Sequence, residues 1–559
     1  MKTLKIFMVL TLISSLLTVG IIVSENVSAS AVEIPVSPGS GTITAALVAA
    51  QNGDSLILSS GDYYDNVDVN KRVTIVSETE NPDDVKVFPS DTNLPVFDIN
   101  IDSVELSHMT IQGTSEVTPS EYGVRSDVTA REHYDVLLED LKISLFKIGI
   151  KICRTNTGLS YPTTHDILEC TIYHNNKGVY IEADPEPGPT GSTCTVIDDC
   201  NIFENTYYNS FSNYYGVEIH GDLNYIRNSD IYGHQQSQDG IGVILINADH
   251  NCIYGLGEDE YTDITYNDVG LYFDNSKFNY IEQCNIQNNV ATGYDQNLDV
   301  NLIYIDSGSN SNEITDCTIT TNHEDDISRI IFEDSDSNTL NSITFDGYIS
   351  LNDDSDLNSF TNVDDIIGIS MNGHSDANSF SYCTVTGYYN GGYITAIFIL
   401  SCDNIGDSKI IFDHCDIEGN YGFYIYDGSG ISITNCDLDT ELYAVFITYN
   451  SANILVQYCD IACADTGFQI ENSYNVMIYD DTFASGMVGF IAFYNGQIKI
   501  KNSVFYDIDE NVDMFAFSDT SNTFRWYNLY LDGVGVTDPA DDFDWYGSSY
   551  VTFTEDPNL

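Results

Sequence analysis

The chain has 559 residues, more than a single compact core requires, and carries 85 acidic against 19 basic side chains for a formal charge of −66. A surface of that sign excludes nucleic-acid binding, which needs Lys and Arg against phosphate, and disfavours anionic lipid. It suits concentrated salt or the capture of cations.

In chain order, the first element is a targeting segment. MKTLK supplies positive charge, Ile6 to Val23 is apolar, and Ala29-Ser30-Ala31 offers small residues for cleavage, so residues 1–31 read as a signal peptide. The apolar run is also long enough to serve uncleaved as an anchor. No later segment is apolar enough to span a membrane, so no membrane insertion is expected once the signal is removed. Residues 32–65 read as a cap: a short apolar helix at Ile43 to Ala50, a turn at Asn52-Gly53-Asp54 and a strand at Ser55 to Leu58.

From residue 66 to about 540 the chain repeats. The phrase N-x-h-x-x-C-x-h, with h apolar, appears as NYIEQCNI from Asn279, NEITDCTI from Asn312 and NSFSYCTV from Asn378. NYIRNSDI from Asn224 and NTLNSITF from Asn338 are copies without the cysteine. Late spacings are even: Cys415 to Cys436 is 21 residues, Cys436 to Cys459 is 23, and Cys459 to Asp481 and Asp481 to Ser503 are 22 each. Earlier copies lie farther apart, 29 from Leu141 to Cys170 and 30 from Cys170 to Cys200, which implies projecting loops. Between copies stand G-h-x-h runs such as Gly178 to Ile181 and Gly216 to Ile219.

Short alternating strands with such a period form a coil that stacks on itself. The expected fold is all-β, a single-stranded right-handed parallel β-helix with an N-terminal capping helix. It would have about 18 rungs and a length of about 85 Å at the usual strand spacing. Residues 541–559 form a C-terminal tail or cap.

Eight of the 13 cysteines, at 170, 200, 284, 317, 383, 415, 436 and 459, share one frame position. Strand parity turns them inward with the apolar residue two places on. Leu141, Ile343, Val363, Asp481 and Ser503 take the same slot elsewhere. Exchange mainly with small or apolar residues argues for a packed thiol column, since free cysteine behaves as a small hydrophobe. Export leaves some vertical disulfides open. Asn224, Asn279, Asn312, Asn338, Asn358 and Asn378 should stack as a structural column.

Two sets of residues suggest chemistry. Asp416, Asp437 and Asp460 each follow a frame cysteine and should stack outward. Like charges about 5 Å apart repel by roughly 1 kcal/mol in water, and either salt or a bound calcium ion would relieve that. Tyr207, Tyr208, Tyr214 and Tyr215, and then Tyr388, Tyr389 and Tyr393, sit beside Asn on expected loops. Their faces could stack on sugar rings, or pack as ordinary rim residues of a Tyr-rich protein.

The order helix, G-D-x-h-h-h, G-x-Y-x-x-N-h-x-h and V-T-I-V, from Gly41 to Val76, resembles the start of right-handed parallel β-helix proteins of the pectate-lyase-like superfamily. In style it is similar to prokaryotic secreted and cell-surface members. The resemblance implies fold more than activity, because the superfamily includes lyases, hydrolases, adhesins and structural proteins. Its lyases pair a base, often Arg, with calcium held by carboxylates. Arg227 and Asp198 fall in one frame position of successive rungs and are the nearest match, either as base and metal carboxylate or as an inter-rung ion pair. Its galacturonan hydrolases use N-T-D, D-D, G-H-G and R-I-K. Only Asp198-Asp199 and His220-Gly221 have partial counterparts here.

The expectation is a secreted or extracellular cell-surface protein that binds polysaccharide or cell-envelope glycan, or serves as an envelope component. The alternative is a calcium-dependent polysaccharide lyase.

Overall fold

Runs of three to six alternating residues are too short to persist alone and gain stability only by stacking on the next repeat. The computed structural model shows that stacking. It describes residues 31–115, 119–127, 135–153, 164–182, 194–206, 214–235, 240–257, 260–289, 300–321, 328–389, 392–393, 395–402, 409–484, 488–493 and 497–506, with short strands between 514 and 555. The expected signal peptide lies outside them except for Ala31.

Strands pair in parallel with the strand one rung away, as Thr164–Leu168 does with Cys194–Asp198. One inward column runs by register from Tyr63 through Val87, Ile111, Ile143 and Ile172. It reaches Phe483, and the strand pairing continues in register to Val504–Tyr506 and Tyr530–Leu531. Pairing already joins Glu33–Val36 to Ser55–Leu58, and still joins Asn522–Tyr527 to Val551–Glu555. The coil therefore takes in parts of both expected end segments.

A full rung carries three strands and so presents three faces. Cys194–Asp198, Asn201–Phe203 and Tyr214–Ile219 illustrate the first, second and third. The corner from first to second face is a single residue with positive φ: Glu169 (53°), Asp199 (51°), Asn228 (45°) and Gln283 (53°) are examples. One left-handed residue bends the chain sharply and turns the next side chain inward again. That next position is the cysteine slot. All eight frame cysteines are buried and every described cysteine is a free thiol.

Two ladders of buried amides hold the other corners. Asn224, Asn251, Asn279, Asn312, Asn338 and Asn358 each receive or pass on a side-chain amide bond, with Nδ2 to Oδ1 distances of 2.8–3.1 Å. Asn378 Oδ1 ends that run by accepting the Asn358 N–H at 2.9 Å. Between the second and third faces runs another ladder, Asn175, Asn205, His234, Asn267 and Asn289. Its amides need room, and the glycine of G-h-x-h supplies it. A Cβ on Gly178 would lie 2.9 Å from Asn205 Nδ2 and 2.6 Å from the carbonyl of Gly216.

Helix α1 (Thr42–Ala49) covers the open first rung with Ile43 and Leu47 buried. Asp65 accepts the N–H and hydroxyl of Thr44 at its start, at 3.0 and 2.8 Å. Lys71 Nζ donates to the carbonyls of Leu47, Val48 and Ala50 at its end, where the helix dipole favours a cation.

Candidate functional site

Arg227 and Asp198 stand on neighbouring first-face strands in direct register. Nη2 lies 2.8 Å from Oδ2, with both side chains partly exposed. Burial works against the Arg227 charge, but hydrogen bonds to Asp198 and Tyr254 outweigh it and hold the guanidinium above its ordinary value. An arginine bound more firmly to its proton is a poor base.

The tyrosines divide. Tyr207 and Tyr208 lie outside the described residues. Tyr214 and Tyr215 are not exposed loop residues, as expected from their neighbours in sequence. They open the strand Tyr214–Ile219 and are each only 5% exposed. The local Asn and Ser suggested a turn, but the G-V-E-I frame that follows draws both tyrosines into the coil. Tyr388–Tyr389 and Gly392–Tyr393 pair as a separate antiparallel hairpin.

Asp416, Asp437 and Asp460 stack in register on the second face, outward as expected. With Glu418, Asp439 and Thr482 they line a shallow groove. Partial burial raises the Asp437 carboxyl above its usual range, and Asp416 and Asp460 add to the effect. Among the described residues, no group of three or more His, Cys, Asp or Glu is arranged to hold a metal ion.

The densest set of chemically able side chains lies elsewhere, on the third face near its N-terminal end. Lys177 and Tyr180 project outward from one strand, and Tyr215 and Glu218 occupy the same columns one rung later. Lys177 Nζ sits 5.0 Å from the ring centre of Tyr180 and 5.2 Å from that of Tyr215, and pairs with Glu218. His220 Nε2 is 2.7 Å from Glu218 Oε1. Lys151, one rung earlier, lies 5.5 Å from the Tyr180 ring and 3.6 Å from Glu182. Glu218 is 4% exposed, and the Lys177 ammonium and the contact with His220 offset the cost of burying it. Burial and then Glu218 push the Tyr180 hydroxyl up to about 12, so it remains a donor at neutral pH. The set offers ammonium donors, a fixed imidazole, a carboxylate and aromatic faces within three successive rungs. The sequence signal was present: K-G-V-Y-I and Y-G-V-E-I share the G-h-x-h frame, and stacking them sets Lys177 beside Tyr215 and Tyr180 beside Glu218.

The stacked parallel coil defines a class, the right-handed parallel β-helix. The family model described as "Right handed beta helix region" matches residues 367–525. No curated protein matches the sequence. Among solved structures, a PL6 alginate lyase complex with trisaccharide is 12% identical, with 78% of this chain and 86% of that chain covered at a TM-score of 0.33. An alginate lyase from Paenibacillus sp. str. FPU-7 is 11% identical, covering 68% and 95% at 0.25. The catalytic unit of a thermostable GH87 α-1,3-glucanase from Streptomyces thermodiastaticus strain HF3-3 is 14% identical, covering 96% and 71% at 0.21. Superpositions this loose carry no argument about activity.

Proposed function

We propose that the chain binds polysaccharide on its third face, around Lys177, Tyr180, Glu218 and His220. The observation that carries this reading is the meeting of two lysines, a buried carboxylate, an imidazole and two tyrosine rings on three successive rungs of a molecule whose charge is −66. Lysine donors suit the carboxylates and hydroxyls of sugars, and aromatic side chains suit their apolar ring faces. The N-terminal MKTLK and the apolar Ile6 to Val23 support a place outside the cell or on its surface, where an envelope glycan or an extracellular polymer is the partner.

A calcium-dependent lyase is the second reading, favoured by the 2.7 Å contact of His220 with Glu218 beside Lys177. A carboxylate that orients an imidazole is a proton-transfer arrangement. Calcium would neutralise the uronate so that its neighbouring proton could leave.

The test offers a panel of neutral and acidic polysaccharides to the purified chain in high salt. Retention is read by affinity electrophoresis, and unsaturated product by ultraviolet absorbance with calcium and with chelator. Retention on one polymer is expected, at least about tenfold weaker in Lys177→Ala or Tyr180→Ala and unchanged in Arg227→Ala. Chelator-sensitive product lost in His220→Ala favours the lyase. Failure to retain any polymer, with no product formed, overturns both readings.

A further inference from the structure

The frame cysteines are grouped along the coil in a way that packing alone does not require. From Cys170 onward, the register of the second-face strands fills the slot with Cys170 and Cys200, then Ser229 and Thr262, then Cys284 and Cys317. Ile343 and Val363 follow, and then Cys383, Cys415, Cys436 and Cys459 on consecutive rungs. No frame cysteine stands alone, and every run holds an even number. Rung length follows the same grouping. Three of the longest spans have cysteine at both ends: 30 residues from Cys170 to Cys200, 33 from Cys284 to Cys317 and 32 from Cys383 to Cys415.

Within a run the thiols meet. Cys317 Sγ accepts the Cys284 N–H at 3.4 Å. Cys170 lies within hydrogen-bond reach of Cys200, Cys415 of both Cys383 and Cys436, and Cys436 of Cys459. The rung spacing of about 4.8 Å falls inside the Cα separation that a disulfide bridges, about 4.4–6.8 Å. Cysteines outside the frame have other neighbours: Cys194 stands in register with Thr164, Cys252 with Tyr225 and Tyr280, and Cys463 with Thr440.

We infer that the frame cysteines close as four vertical disulfides, Cys170–Cys200, Cys284–Cys317, Cys383–Cys415 and Cys436–Cys459, in the oxidising surroundings that an exported chain meets. The inference rests on the export reading and is independent of the polysaccharide one. Only neighbouring rungs are in reach, so a run of four has one pairing that leaves no thiol over. Each bond forms by exchange. One thiolate attacks a disulfide oxidant, and the neighbouring thiolate displaces the mixed disulfide. Two protons are released, and two electrons leave with the oxidant as its two thiols. The frame thiols are at most 2% exposed in the finished coil, and burial holds those of Cys170 and Cys284 well above their ordinary range. Exchange therefore belongs to assembly, while a newly laid rung is still uncovered. The bond constrains the unfolded chain most where the enclosed loop is long, which is where three of the four pairs stand.

The test refolds the whole chain with oxidised glutathione or with reductant, then counts thiols under denaturing conditions and maps the joined peptides. The expected result is that only the five cysteines outside the frame remain as thiols, against 13 under reductant, and that the four pairs named are recovered. Cys415→Ser should add one thiol, from Cys383, and leave Cys436–Cys459 closed. Ser229 and Ser503 show that the slot accepts serine. Thirteen thiols after oxidative refolding, or bonds between other cysteines, overturn the inference. Reducing the oxidised chain should lower its urea midpoint, and an unchanged midpoint overturns the stapling role. The oxidant is supplied in the test, so a chain found inside the cell would overturn the export reading and leave these counts as they are.

Discussion

Asp481 occupies the cysteine slot one rung after Cys459 and is 1% exposed. Its Oδ1 accepts the Cys459 N–H at 2.8 Å, while Oδ2 is buried without a hydrogen-bond partner. Burial pushes its carboxyl up to about 8. The unfolded chain releases this proton near pH 4, so the stabilisation is complete below that value and is lost progressively up to about pH 8. Asp481→Cys, which restores the usual residue, should flatten that slope and raise the thermal midpoint at pH 8, with a gain of a few kcal/mol at most. His234 has the opposite sign. Burial lowers it to about 4, although its bond to Asn267 partly counters this, and the ring sits neutral in the amide ladder. Its contribution is complete above about pH 6.5 and is lost as pH falls towards about 4. His234→Asn keeps a ladder residue and should make acid unfolding begin at lower pH, as followed by circular dichroism. Sequence disclosed the inward cysteine slot, because its exchange with Leu141 and Ile343 marks packing. It gave no sign of His234 as a ladder member, since a histidine looks nothing like the asparagines above and below it until register aligns them.

At the scale of the strand and its corner, the repeated Gly is a steric requirement and not merely a turn signal. Gly178→Ala places a methyl group 2.6 Å from a carbonyl and 2.8 Å from Ile202 Cγ2. A loss of about 1–3 kcal/mol is expected, read from the urea midpoint. The carboxylate column makes a second element-level prediction. Asp437 lies between Asp416 and Asp460, so Asp437→Asn should raise the melting temperature in low salt and lose that advantage as salt screens the column. If the column takes calcium, millimolar calcium will stabilise the parent more than the variant. Element spacing was readable because period and alternation survive changes of residue. The single-residue corner was not, because Glu169, Asp199, Asn228 and Gln283 share a backbone angle but no residue type. Of the third-face site only Tyr215 was foreseen, for a related reason. Its members extend from Lys151 to His220 and meet only when rungs are stacked, whereas local runs of Tyr beside Asn point to Tyr215 without its partners.

For the molecule as a whole, nearest-neighbour stacking replaces one central core, so cooperativity need not extend from end to end. The two tryptophans, Trp526 and Trp545, both report from the C-terminal strands. Their fluorescence transition in urea should not coincide with the far-ultraviolet transition of the whole coil. Coincident midpoints would show a single cooperative unit instead. Architecture at this scale was the most legible part of the sequence, because a repeated frame states its own periodicity. The distribution of charge was the least, since a net value of −66 says nothing about which face each carboxylate stands on. Rung length, finally, varies from 20 residues between Asn358 and Asn378 to 33 between Asn279 and Asn312, yet the buried amides keep their partners across both. The coil thus separates its grammar from its vocabulary. Residues can be inserted between strands to change what stands beside a face, while the columns that keep the rungs in step go on being spelled in the same letters.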